Sequence, residues 1–210
     1  MTEKEHRFSV IMTVYDNAQE LEDSLPAFLT QAYKNDYEVI VVDESSTDST
    51  EDVLKLQKQV HPHLYTTFLP KPNRQVIRRR LALTIGVKAA KYEWIIMADI
   101  HSAPTDDQWL TGIADAIDDE TEMMLGYFRK KDIRLQTFSD ISQSRCIITK
   151  AERMRANGHS GKRLMYIRGK YNFIVIRADK AHDVLKFFEQ QLSFSRLLGL
   201  RLNTMFHNFR

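Results

Sequence analysis

The stretch Glu38-Val39-Ile40-Val41-Val42-Asp43-Glu44-Ser45-Ser46-Thr47-Asp48 decides the architecture. Its unbroken β-branched run reads as a strand buried on both faces, which belongs to a parallel sheet rather than to a half-exposed antiparallel one. The hydroxyl and acidic residues after it are turn and cap formers. Glu51 and Asp52 then open a helix that carries Val53, Leu54 and Leu56. Upstream, Ser9–Val14 is a second compact apolar run, and Leu21, Leu25, Phe28, Leu29 and Ala32 follow it at helical spacing. Downstream, Leu64–Leu69 predicts a third strand, closed by Pro70 and Pro72. Ile77, Leu81 and Ile85 mark the buried face of another helix, and Trp94–Met97 another buried strand. Strands alternating with helices in this way predict an α/β chain with a mostly parallel, Rossmann-like sheet flanked by helices on both faces.

The second half is less regular. Trp109, Leu110, Ile113, Ala114 and Ile117 predict an amphipathic helix, and Met123–Phe128 and Tyr171–Ile176 predict strands. Residues 130–163 are polar, basic and poor in long apolar runs, and Asn157-Gly158-His159-Ser160-Gly161 within them reads as a mobile loop; residues 185–202 read as a terminal helix, interrupted at Gly199. With no repeat, low-complexity tract or linker, the 210 residues are expected to form one domain, 1–210.

Composition narrows the function classes. Thirty basic residues against 28 acidic ones give a net charge of +2, too even to indicate a nucleic-acid partner. Cys146 is the single cysteine, so an internal disulfide is excluded. No apolar run approaches the roughly 18 residues of a membrane span, and the polar start is not a signal peptide. A cytoplasmic location is the expectation.

Ligands of open α/β sheets bind beyond the carboxyl ends of parallel strands. Three of those ends carry chemistry: Thr13-Val14-Tyr15-Asp16-Asn17, Asp43-Glu44-Ser45-Ser46 and Asp99-Ile100-His101. A carboxylate at a strand end can accept a hydrogen bond from a base N–H or a ribose hydroxyl. Asp99 and His101, two apart on extended chain, can turn to one side and share a divalent cation, which would neutralise a diphosphate. Each acid taken alone is equally a strand-end turn former; their repetition after buried strands points to a site. Walker, G-x-G-x-x-G and G-x-S-x-G motifs are absent, which argues against P-loop, dinucleotide-binding and hydrolase chemistry. His61-Pro62-His63 lacks a third ligand and is expected to be solvated.

These motifs resemble the family 2 glycosyltransferases, inverting nucleotide-sugar enzymes of the GT-A fold. Ser9-Val10-Ile11-Met12-Thr13-Val14-Tyr15-Asp16 stands in place of the family's strand into P-V-Y-N, and Val41-Val42-Asp43-Glu44-Ser45-Ser46-Thr47-Asp48 matches V-V-D-D-x-S-x-D. The segment from Ala82 through Gly86 and Ala89 to Glu93-Trp94 matches the family's helix and strand, and Asp99-Ile100-His101-Ser102-Ala103-Pro104 its D-x-D-x-x-P metal motif. The resemblance implies a nucleotide-binding half, 1–104, and an acceptor-side half, 105–210. It implies that Thr13 and Tyr15 line the nucleotide, Asp43 reads the base (usually uracil), and Asp99 and His101 hold Mn²⁺ or Mg²⁺. Arg78, at the start of a helix that lies under the diphosphate in the family, is the expected phosphate contact. The catalytic base usually comes from an E-D pair on a late helix; here Glu189-Gln190 stands in that place, leaving Glu189 as the candidate. The implied reaction moves a sugar from a UDP-sugar to a glycan or lipid-linked acceptor in glycan biosynthesis, with peripheral membrane association compatible with it. The alternative is a catalytically weak or inactive relative that binds nucleotide or a protein partner, because an amide at Gln190 cannot accept a full proton.

Overall fold

The computed structural model describes residues 5–69, 78–117, 121, 123–128, 133–137 and 173–181. In chain order these contain β1 (Phe8–Val14), α1 (Ala18–Leu29), β2 (Tyr37–Asp43), α2 (Thr50–Val60), β3 (Leu64–Phe68), α3 (Arg78–Ala89), β4 (Trp94–Ala98), α4 (Trp109–Asp115), β5 (Met123–Phe128), β6 (Ile133–Thr137) and β7 (Phe173–Arg177). They build one seven-stranded sheet in the order β3-β2-β1-β4-β7-β5-β6. The strands β3, β2, β1 and β4 are parallel, each joined to the next in sequence by a crossover that contains a helix. Beyond β4 the pairing changes: β7 lies antiparallel between β4 and β5, and β6 lies antiparallel to β5.

Alternation along each strand divides the core. Phe8, Val10, Met12 and Val14 face the same side as Val39, Val41, Ile96, Phe173 and Val175, against α1, α2 and α4. There the Trp109 ring sits edge-on between Phe28 and Phe173, at 5.6 and 5.1 Å, and fixes α4 to the sheet. Ile11, Ile40, Val42, Ile95 and Met97 face the other side, where α3 packs on β1 and β2. The expected two-sided α/β architecture is therefore present.

Three local expectations are corrected, and one strand is added. The buried face of α3 is Ala82, Leu83, Gly86 and Val87, whereas Leu81 is 43% exposed and Ile85 half-buried. The small residues win because α3 lies so close to the sheet: a Cβ added at Gly86 would stand 2.4 Å from Cγ2 of Ile11. Residues 133–137 form the edge strand β6, for which no strand was expected; the Ile-Arg-Leu-Gln alternation is period-two but short. Helix α1 ends at Leu29 instead of reaching Ala32, where Thr30 donates from both its N–H and its hydroxyl to the Pro26 carbonyl. Nor is His63 merely solvated. Its Nε2 lies 3.1 Å from the Leu29 carbonyl oxygen and its ring 4.8 Å from that of Tyr37. Residues 157–161 and the expected terminal helix at 185–202 lie outside the described residues.

The contact at Gly86 makes a test of the packing. Gly86→Val should lower unfolding stability by about 2 kcal/mol or more through overpacking, and Ile11→Ala in the same chain should recover part of the loss. Urea denaturation measures both; simple additivity of the two substitutions would contradict the close approach.

Candidate functional site

The site is assembled where the parallel strands end. Val14 pairs with Asp43, so the loops after β1 and β2 leave the sheet side by side and are fastened to each other. Ser46 is the hub. Its N–H and its hydroxyl both donate to Asp43 Oδ1, at 2.9 and 2.5 Å, and its oxygen accepts the Asp16 N–H at 2.9 Å. Asp16 Oδ1 in turn accepts the N–H of Thr47 at 2.6 Å. Further along, Asn17 N–H donates to Thr50 Oγ1, and Ala18 N–H to Asp48 Oδ2. Two residues in the left-handed region, Asp16 at φ 49° and Ser45 at φ 69°, make the sharp reversals that this fastening requires. Asp43 is thereby buried and fixed, with one carboxylate oxygen already engaged by Ser46. It borders a cavity of about 380 Å³ between α2 and β3, lined also by Ser45, Leu54, Thr66 and Phe68.

On the other side, β4 delivers Asp99. Its Oδ1 accepts the N–H of His101 at 3.1 Å, and Oδ2 lies 3.4 Å from Arg79 Nη2. Between the two motif residues Ile100 is buried in the core, while His101 is exposed. Arg78 lies over the ring of Tyr15, its guanidinium carbon 5.4 Å from the centroid. Tyr15 itself is 45% exposed, an aromatic face available at the mouth of the sheet. Successive helical residues point about 100° apart, so Arg78 and Arg79 turn to different neighbours.

Thr13, Tyr15, Asp43, Arg78, Asp99 and His101 thus gather at one end of the sheet. Glu189 lies outside the described residues. Three contributors escaped the sequence reading: Ser46, which fixes Asp43; Arg79, which meets Asp99; and Glu44. The Glu44 side chain is buried. Burial pushes its carboxyl above the ordinary value, and Asp43 adds to the rise. The Thr13 hydrogen bond and the charges of Arg79 and Arg78 oppose it. The repeated acid in Asp43-Glu44 was a visible signal for it, and the V-V-D-D-x-S-x-D match set Ser46 apart from Ser45 and Thr47 as the pattern's fixed serine, a signal not carried into the candidate site residues.

Among the described residues, no group of three or more His, Cys, Asp or Glu comes together as a metal site. Asp99 with the exposed His101 two residues on is a donor set of the type that holds a cation working on phosphates, which is completed by water and phosphate oxygens, although Asp99 Oδ1 already takes the His101 N–H and Oδ2 faces Arg79. Asp99 keeps 38% of its side chain accessible for that purpose. Among the described residues, no helix is long and apolar enough to cross a membrane.

A model of the family described as glycosyl transferase family 2 matches residues 9–177. The chain belongs to that family. Within it, the chain is 26% identical over 125 residues to a Bacillus subtilis (strain 168) protein named for teichuronic acid biosynthesis, the glycosyltransferase TuaG. That match covers 60% of this chain and 44% of the relative, so the chain spans less than half the length of the curated relative it matches. Among solved structures, the mannosyltransferase PcManGT from Pyrobaculum calidifontis, in complex with GDP-Man and Mn²⁺, superposes with a TM-score of 0.52 at 25% identity, over 61% of this chain and 37% of that one. Residues 1–349 of S. aureus TarS superpose with a TM-score of 0.59 at 20% identity, over 92% of this chain and 53% of that one. The fold is the GT-A fold of family 2 glycosyltransferases.

The raised carboxyl of Glu44 has a consequence for stability. Between the unfolded and the folded pKa, the folded chain holds a proton that the unfolded chain has released, so stability falls as pH rises through that window. Glu44→Gln lacks this dependence. Its melting temperature relative to wild type should therefore rise as pH is taken from about 4 to about 7. A difference that stays constant over that range would show that the Glu44 carboxyl is not desolvated.

Proposed function

We propose that this family 2 glycosyltransferase moves a sugar, with inversion, from a nucleotide-diphosphate donor to a glycan or lipid-linked acceptor, using the mouth of the parallel sheet as its donor site. One observation carries the reading: a fixed carboxylate, an exposed aromatic ring under an arginine, and the Asp99 carboxylate stand at adjacent strand ends. They supply a hydrogen-bond acceptor for a base, a surface for it to stack on, and an anion for a diphosphate-bound cation. In this assignment Thr13 and Tyr15 line the nucleotide, Arg78 serves its base and phosphate side, and Asp99 and His101 hold Mn²⁺ or Mg²⁺. Residues 1–104 form the nucleotide half and 105–210 the acceptor side of a single domain.

The preferred donor is a UDP-sugar. Ser46 engages Asp43 Oδ1 twice, which leaves the other oxygen to meet a base. That suits the single imide N–H of uracil better than the adjacent N–H donors of guanine. The GDP-Man of the mannosyltransferase relative is the natural comparison ligand.

In the reaction, an acceptor hydroxyl oxygen bonds to the anomeric carbon from the face opposite the leaving group. The bond from that carbon to the diphosphate oxygen breaks, its electron pair staying on the nucleoside diphosphate. Asp99 and His101 would hold the cation, which when bound would supply charge neutralisation for that leaving diphosphate. Glu189 is the proposed base for the hydroxyl proton, and Arg79, on the same side as Asp99, offers a fixed positive charge to the leaving group. Gln190, where the family's second acid would stand, favours a second reading: a relative that binds donor and turns over little. Action at the cytoplasmic face of a membrane is compatible with a lipid-linked acceptor.

Calorimetric titration with UDP and with GDP, in Mn²⁺ and in chelator, tests the donor site. UDP should bind more tightly than GDP and more tightly with Mn²⁺. Asp43→Ala should weaken UDP binding by about 1.5–3 kcal/mol, and Asp99→Ala should abolish the Mn²⁺ increment. Failure to bind either nucleotide would remove the reading.

The base is tested separately. Glu189→Gln should retain donor affinity while losing roughly 10²–10⁴-fold in turnover. A fully active Glu189→Gln would exclude it as the base, and a wild type that binds UDP with negligible turnover would favour the inactive relative.

A further inference from the structure

We propose that Arg79 is a positioning residue that stands in for the cation on Asp99 while no donor is bound, and that its guanidinium turns to the diphosphate when cation and nucleotide arrive, so that the two are taken up together. The inference rests on the donor-site reading above and deepens it.

The chain after β4 sets the Asp99 carboxylate. Ser102 N–H donates to the Asp99 carbonyl at 2.9 Å, and His101 N–H donates to Oδ1 at 3.1 Å, so the turn folds back on its own first residue. Oδ2 lies 3.4 Å from Arg79 Nη2. A cation bound through Asp99 draws on Oδ2, because Oδ1 already serves the turn, and Oδ2 is the oxygen that Arg79 covers. Two positive charges drawn to one carboxylate oxygen repel each other, so Arg79 and the cation compete for it.

The packing of α3 explains why residue 79 is the one placed there. The helix approaches the sheet closely at Gly86, and that contact sets how its first turn faces the strand ends. Arg78 lies over Tyr15, which follows β1. One residue on, about 100° around the helix, Arg79 reaches Asp99 after β4, the strand that pairs with β1 on the side away from β2.

The pair is easily exchanged. At 3.4 Å it is long for a charge-assisted hydrogen bond, and 62% of the Arg79 side chain and 38% of that of Asp99 are accessible. Exposed ion pairs of this kind contribute little to stability. A guanidinium presents its donors in a fork that matches phosphate oxygens, so a diphosphate offers Arg79 a better partner than the one it leaves. The same diphosphate supplies oxygens that complete the shell of a cation on Asp99. Without nucleotide, freeing Asp99 gives Arg79 no phosphate to turn to. Cation and nucleotide therefore strengthen each other's binding, by one and the same factor.

The test uses the full chain, with Mn²⁺ alone as the first probe and UDP as the second. Read from the paramagnetic resonance of free Mn²⁺, Arg79→Gln should bind Mn²⁺ about fivefold more tightly than wild type without nucleotide, the upper end of what an exposed ion pair contributes. In calorimetric titrations, the factor by which Mn²⁺ strengthens UDP binding should fall at least as much in Arg79→Gln. Arg79→Lys, which keeps the charge, should stay close to wild type in both measurements. A merely structural role would instead loosen Mn²⁺ and UDP alike. An Arg79→Gln chain that takes up Mn²⁺ no more tightly than wild type, or an unchanged Mn²⁺ factor for UDP, would overturn the proposal. So would Mn²⁺ binding gained by Arg79→Gln that survives Asp99→Asn, because the cation would then sit elsewhere. A wild type that binds neither UDP nor GDP would overturn the donor-site reading and this proposal with it. That result is distinct from one in which UDP binds and Arg79 proves silent.

Discussion

The hydroxyl of Ser46 is the point on which the site depends. It donates to Asp43 at the end of β2 and accepts from the backbone of Asp16 after β1, so one oxygen fixes both the orientation of a carboxylate and the path of a neighbouring loop. Parallel strands bring loops to a common end of the sheet but do not by themselves order them. Here the order comes from short polar side chains that satisfy the backbone groups of the adjacent loop: Ser46 for Asp16, Asp16 for Thr47, Thr50 for Asn17 and Asp48 for Ala18. Tyr15 emerges from this frame half-exposed, and its ring meets Arg78 from α3. A binding surface built this way spends little conformational entropy when a ligand arrives.

Much of this was legible before any coordinates. Strands buried on both faces are uninterrupted apolar runs, so Ile40–Val42 and Ile95–Met97 announce themselves, and the acids that end them mark the site. Element edges and faces were harder to read where short-range pattern and packing disagree. In α3, Leu81 and Ile85 stand at helical spacing and attract attention by size. The sheet instead selects Ala82 and Gly86, because only small side chains let the helix approach Ile11. Periodicity weighs apolar bulk, while a close helix–sheet contact rewards its absence. The same reading of the helix face chose Arg78 from the Arg78-Arg79-Arg80 run, whereas the structure also brings Arg79 to Asp99. Strand β6 had the right alternation in too few residues to stand out from a basic surround.

That rotation of α3 matters for function as well as for packing. Burying Ala82 and Gly86 turns the first residues of the helix so that the guanidinium groups of Arg78 and Arg79 straddle the strand ends. The glycine contact in the core and the arginine contacts at the mouth are two ends of one rigid body. A substitution that lifts α3 from β1 is therefore expected to disturb the Tyr15 and Asp99 contacts together, even though Gly86 is two turns from either.

The two glutamates of the β2 segment show how burial separates scaffold from site. Glu38 lies near the start of β2 and its carboxylate is fully matched: the Ser9 hydroxyl donates at 2.8 Å, the Lys91 N–H at 2.9 Å, and Lys91 Nζ stands 3.1 Å away. Its charge is met by groups in contact with it, and the network ties β1, β2 and the turn before β4 at the end of the sheet away from the loops. Glu44, just past the other end of β2, is also buried, and that burial raises its carboxyl above the ordinary value. A fully matched carboxylate locks the groups around it. The fold thus places a closed ionic network at the end of the sheet away from the loops, and a desolvated carboxyl at the end where the loops after β1 and β2 meet.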